Sequence, residues 1–259
     1  MLPTTAGRGL RHPQQQQQQL PHYLRRIVKW RQMDVEYTFW QMLHLCTAPK
    51  VVYQHTKYHK QTKNQWARDD PAFTVISSIF LALAASAYCA AYGSSFLQAG
   101  VTVVGVVWLH FLLTGISLAS ICCCRFLCNR YLREEAAIHS HVVEQRVEWL
   151  YAFDVHCNAY FPLFIVLYVI HYFFSPLLIL RGFVPTLLSN LFFLVSLSYY
   201  HYLNFLGYDV LPFLERTTFF LYPVAVLVVL FPCGKCRYLR IQSDEVCVRP
   251  VFLKGSLLN

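Results

Sequence analysis

Residues 57–73 read KYHKQTKNQWARDDPAF, and residues 72–92 continue as AFTVISSIFLALAASAYCAAY without a single charge. The seam between them decides the fold. Asp70 suits an N-cap and Pro71 the first helical position, and acidic side chains complement the positive end of a helix dipole. Asp69, Asp70 and Pro71 therefore open a helix, and the uncharged run behind them is long enough to cross roughly 30 Å of hydrocarbon.

Composition agrees. The 259-residue chain is 56% hydrophobic and 14% charged, with a mean hydropathy of +0.38, whereas soluble domains carry about 25% charged residues. Four more apolar runs follow, at 101–122, 160–180, 183–206 and 211–231. The expected fold is all-α: a polytopic membrane protein of about five transmembrane helices over residues 72–232, with a loop at 123–158 and a tail at 233–259. No secretory signal is read ahead of residue 72, so the first span is expected to direct insertion. Residues 1–21, with a glutamine run at 14–19, bury too little apolar area to order themselves and are expected to be disordered.

Lys and Arg bias sets orientation. Residues 1–71 hold eleven such residues, the linker after the second run holds Arg125, Arg130, Arg133 and Arg146, and the linkers after the first and third hold only Arg181 between them. A cytosolic N-terminus keeps this excess inside. Five spans then place the tail in the lumen, although it carries Lys235, Arg237, Arg240, Arg249 and Lys254. The net charge of +9 suits an anionic leaflet or a phosphate-bearing partner.

Residues 22–71 form a basic region. Met33, Tyr37 and Trp40 recur at helical spacing, as do Glu36, Phe39 and Leu43, behind Arg25, Arg26, Lys29, Trp30 and Arg31. Two readings are open: an amphipathic helix along the membrane surface, or a helix packed on the rest of the chain. Arg25, Arg26, Lys29, Trp30, Arg31, Lys57, Lys60 and Lys63 are candidates for contact with a docking protein, lipid or RNA. Tyr23, Trp30, Tyr53, Tyr58 and Trp66 would supply stacking for RNA, but no folded RNA-recognition signature accompanies them.

Chemistry-bearing clusters are few. Cys122, Cys123, Cys124 and Cys128 lie beside the second run, as S-acylation sites or as small apolar residues at a helix end. Cys233, Cys236 and Cys247 lack a following histidine for zinc. His55 and His59 have a spacing compatible with a metal but sit among lysines. In EWLYAFDVHCNAYFP (148–162), Asp154 and Asn158 share a helical face, while His156 points about 160° away from it. That separation opposes a catalytic triad or metal site. No catalytic residue, metal or cofactor is expected, and a membrane enzyme or carrier using Asp154, His156 and Asn158 is the minor alternative.

RQMDVEYTFWQML (31–43), KQTKNQWARDDPAF (60–73), EWLYAFDVHCNAYFP (148–162), NFLGYDVLPFL (204–214) and LYP (221–223) resemble the Unc-fifty family over residues 23–231. The motif positions Trp66, Arg68, Asp69, Asp70, Pro71, Asp154, His156 and Asn158 carry that likeness as structural residues. The resemblance implies a multi-pass Golgi membrane protein, also reported at the inner nuclear membrane, that helps assembled receptors such as nicotinic acetylcholine receptors reach the cell surface. It also implies contact with large Arf exchange factors, and an RNA-binding activity. The ending from Cys233 onward and the glutamine run depart from the family pattern.

Overall fold

The computed structural model describes residues 21, 23–27, 29, 31, 33–123, 132, 146–180 and 182–230. The expectations for residues 1–20, Trp30, Cys124, Cys128 and the tail lie outside them. The described residues are all-α: four helices are long and apolar enough to cross a membrane, two shorter helices precede them and a short apolar helix follows.

Helix α1 (Val35–Thr47) starts where the Asp34 carboxylate accepts the Tyr37 N–H at 2.9 Å. It buries Thr38, Gln41, Met42 and Leu45, a face offset from both of the stripes the sequence suggested. Helix α2 (Pro49–Lys63) begins with proline, which costs nothing where no hydrogen bond is owed. It ends at Asn64, whose left-handed backbone (φ 56°) turns the chain into the 64–71 loop.

The first span is α3 (Ala72–Ala91). Its start falls one residue later than Asp70 as the cap would give: Pro71 occupies the cap, and Asp70 Oδ1 accepts the Ala72 N–H at 3.1 Å. The second span runs from α4 (Phe96–Gly105) through a π-helical stretch (Val106–Leu113) into α5 (Thr114–Cys123). The third runs from α6 (Trp149–Phe164) through π-helical turns (Ile165–Ile170) into α7 (His171–Leu178). Pro162 lies inside α6 just ahead of those turns, and a proline that removes an i→i−4 bond favours such widening. The fourth is α8 (Phe183–Asp209).

Two boundaries differ from the sequence reading. The third helix begins at Trp149, so residues 149–158 are helical and not loop. At 30 residues it is about 45 Å long, roughly 15 Å more than the hydrocarbon. The fifth apolar run is helical only from Thr217, as a 3-10 turn (Thr217–Leu221) leading into α9 (Tyr222–Leu230). Pro212, which has no N–H to give, lies in the non-helical chain before it, and Thr217 is tied back to Asp209 at 2.9 Å.

Two glycines set the helix spacing. A Cβ on Gly115 would stand 2.6 Å from the His156 ring, and one on Gly207 would stand 2.7 Å from Val155. Spans two and four therefore close on the third at backbone distance.

Candidate functional site: an arginine clasp at the polar end of the bundle

The 64–71 loop has three consecutive N–H groups that no helix satisfies, and the third span supplies the acceptors. Glu148 takes the N–H groups of Trp66 and Ala67 at 3.2–3.3 Å, and Asp154 takes that of Arg68 at 2.7 Å. Carboxylates paired to N–H groups make strong, charge-assisted bonds.

The Arg68 side chain completes the clasp. Its guanidinium donates to Asn158 Oδ1 at 2.8 Å, to Gln41 Oε1 at 3.2 Å and to the Asp154 carbonyl at 3.3 Å. Its Nε lies 3.5 Å from Asp154 Oδ1, and the two side chains are 18% and 5% exposed. The plane also covers the Phe73 ring at 4.4 Å. Burial is the largest single influence and works against the positive charge, but the Asp154 carboxylate together with Cys157, Tyr23 and Tyr53 outweighs it, and the Arg68 pKa is raised. One side chain thus ties α1, the loop and α6 together.

The loop's outer edge is pinned as well. Asp69 is bonded to Lys63 and Gln65, and its carbonyl accepts from Arg26 at 3.0 Å. Asp70 Oδ2 accepts the Asp34 N–H at 2.6 Å. Tyr23 is buried with its hydroxyl 3.0 Å from Thr74. Trp66 is buried, with the Lys60 ammonium 5.6 Å from its ring centre.

His156 is elsewhere. Its Nδ1 is 2.9 Å from the Tyr200 hydroxyl, and its Nε2 is 3.2 Å from the Phe111 carbonyl, in the π-helical stretch of span two. Asp154 and Asn158 meet at Arg68, and His156 bridges spans two, three and four. His55 and His59 do not meet either: His55 packs against the Trp40 ring, and His59 lies against the Gln65 carbonyl and Asp69. Among the described residues no three His, Cys, Asp or Glu side chains gather as a metal site.

The basic candidates divide. Lys60 donates to the Asn64 carbonyl at 3.0 Å and approaches Glu148 at 4.0 Å, while Lys63 and Arg26 are held by Asp69. Arg25, Lys29, Arg31 and Lys57 are exposed. Of the proposed stacking aromatics, Tyr23, Tyr53 and Trp66 are core residues and Tyr58 is exposed. Cys122, one of the S-acylation candidates, is buried at 7% exposure. The Cys123 side chain is not among those described.

Sequence reasoning missed Gln41, Glu148 and Tyr200. Gln41 had a legible signal, being a polar residue in step with Thr38, Met42 and Leu45.

Fold and site together define an all-α, multi-pass membrane protein whose amino-terminal helices are clasped onto one end of the bundle. The sequence matches the UNC-50 family over residues 23–244. It is 47% identical to the protein unc-50 homolog of Dictyostelium discoideum over 213 residues, 82% of this chain and 80% of that protein. It is 42% identical to the rat homolog over 211 residues and 41% identical to the human one over 210, each covering 81% of this chain and 78% of the relative. No solved structure matches. The chain belongs to the UNC-50 family.

Proposed function

We propose that this chain is a non-enzymatic trafficking factor of the Golgi membrane. In this reading it supports cell-surface delivery of assembled receptors such as nicotinic acetylcholine receptors and recruits a large Arf exchange factor to its clasped, cytosolic end. One observation supports the non-catalytic reading above the others: Asp154 and Asn158 are taken up by Arg68, while His156 faces two other spans. The polar groups at the membrane entrance are used to hold helices. The cytosolic placement of that end is supported by its Lys and Arg excess. Trafficking, the exchange factor and the Golgi address are proposed by analogy with the family resemblance.

The exposed cations Arg25, Lys29 and Arg31 form the docking face in this proposal. The test is R25E/K29E/R31E in cells lacking the endogenous protein. Exchange-factor recruitment and surface receptor should both fall while the level of the chain stays constant. Unchanged recruitment and delivery would remove this face from the account. For the RNA-binding alternative, Tyr23, Tyr53 and Trp66 are buried while Tyr58 is exposed as a platform for bases.

A further inference from the structure

Helix α1 buries one face and leaves a second apolar stripe outside. Val35, Phe39 and Leu43, spaced i, i+4 and i+8, lie along one side of the helix, with Phe39 48% and Leu43 62% exposed. Soluble proteins rarely leave such a stripe open to water.

Its depth says what covers it. The Phe39 ring meets Phe80 of the first span, with centroids 6.1 Å apart. Phe80 lies eight residues inside α3, about 12 Å along the helix axis. At the other end of α1, the Tyr199 hydroxyl donates to the Leu45 carbonyl at 2.8 Å, and Tyr199 lies ten residues before the end of α8, about 15 Å along it. Helix α8 has 27 residues where about 20 span the hydrocarbon. Its excess is only about 10 Å, so even if all of it protrudes at this end, Tyr199 sits at or below the hydrocarbon edge. Both contacts therefore place α1 level with the membrane boundary.

The exposed stripe also continues into Ile79 and Leu83, the exposed flank of the first span on either side of Phe80. Charged residues bracket it, with Arg25, Lys29, Arg31 and Asp34 before it and Lys50 after it, all exposed. Apolar side chains at acyl depth between polar flanks are the pattern of an interfacial helix.

We propose that α1 is embedded in the interface of the leaflet at the clasped end, with Val35, Phe39 and Leu43 against phospholipid acyl chains that also coat Ile79 and Leu83. The helix is then both a clasped structural element, through Gln41, and a lipid-facing one. The inference is independent of any exchange factor.

The full-length chain, reconstituted into phosphatidylcholine/phosphatidylserine nanodiscs carrying a clickable phospholipid, tests it. Benzoylphenylalanine replaces Phe39, Leu43 or Tyr58, one position at a time. All three are exposed, and Tyr58, on α2, is 65% so. Irradiation should give roughly tenfold more lipid adduct at positions 39 and 43 than at 58, as an interfacial helix requires. Equal labelling at all three positions, absence of lipid adduct at both 39 and 43, or adducts to protein in place of lipid there would overturn the proposal. A misfolded variant would label without regard to position. The contrast of 39 and 43 against 58, confirmed on monodisperse material, therefore keeps the result decisive.

Discussion

Replacing Arg68 by methionine keeps most of the side-chain volume and removes the charge. Asp154, 5% exposed and ion-paired to Arg68 at 3.5 Å, would lose its counter-charge, and Asn158 and Gln41 would each lose a donor. Removing one partner of a buried pair costs about 3–5 kcal/mol. For a chain of this size, that corresponds to a loss on the order of 10 °C in melting temperature. The compensating variant is R68M/D154N, in which the amide oxygen can still accept the residue-68 N–H that Asp154 now accepts at 2.7 Å, without a buried charge. It should recover at least about 1 kcal/mol, the coupling typical of residues in direct contact. The assay is thermal unfolding of detergent-solubilised protein, followed by fluorescence-detected size exclusion on wild type, both single variants and the double. If R68M melts within a degree or two of wild type, or if the double variant is no more stable than R68M, the clasp is not the joint described here.

Two further outcomes follow from packing. G115A, whose Cβ would meet the His156 ring at 2.6 Å, should cost about 1–3 kcal/mol by overpacking. G105A, with nothing within 4 Å of its Cβ, should be neutral or should stabilise by about 0.5–1 kcal/mol through helix propensity; the two melting curves check the contrast. Alkylation with N-ethylmaleimide followed by mass spectrometry should leave the buried Cys122 unmodified in the folded protein and reach it only after denaturation.

The spans were legible because about twenty consecutive apolar residues leave a chain few alternatives. The shared face of Asp154 and Asn158 was legible from the 100° step between helical residues. What they face was not: Arg68 lies 86 residues before Asp154, and pairing across that separation is set by how the helices pack. Hydropathy marks the third apolar run from residue 160, while the helix itself extends N-terminally through Asn158, His156 and Asp154 to Trp149. The fifth run is continuous in residue type, but the helix before it ends at Asp209 and the chain is helical again only from Thr217. Neither apolar stripe marks the buried face of α1, because that face carries the polar Thr38 and Gln41 beside Met42 and Leu45. Gln41 is turned inward by a guanidinium that becomes visible only once the loop has folded.

The loop at 64–71 draws its acceptors from residues made long after it. Trp66 waits for Glu148, 82 positions later, and at about 5–20 residues per second that wait is roughly 4–16 s of translation. During this interval the amino-terminal helices have no anchor on the third span, and surfaces destined for the interior are accessible to chaperones. Closing the clasp is therefore an act of late assembly, and it marks the moment when the front of the chain and its third helix are both in place.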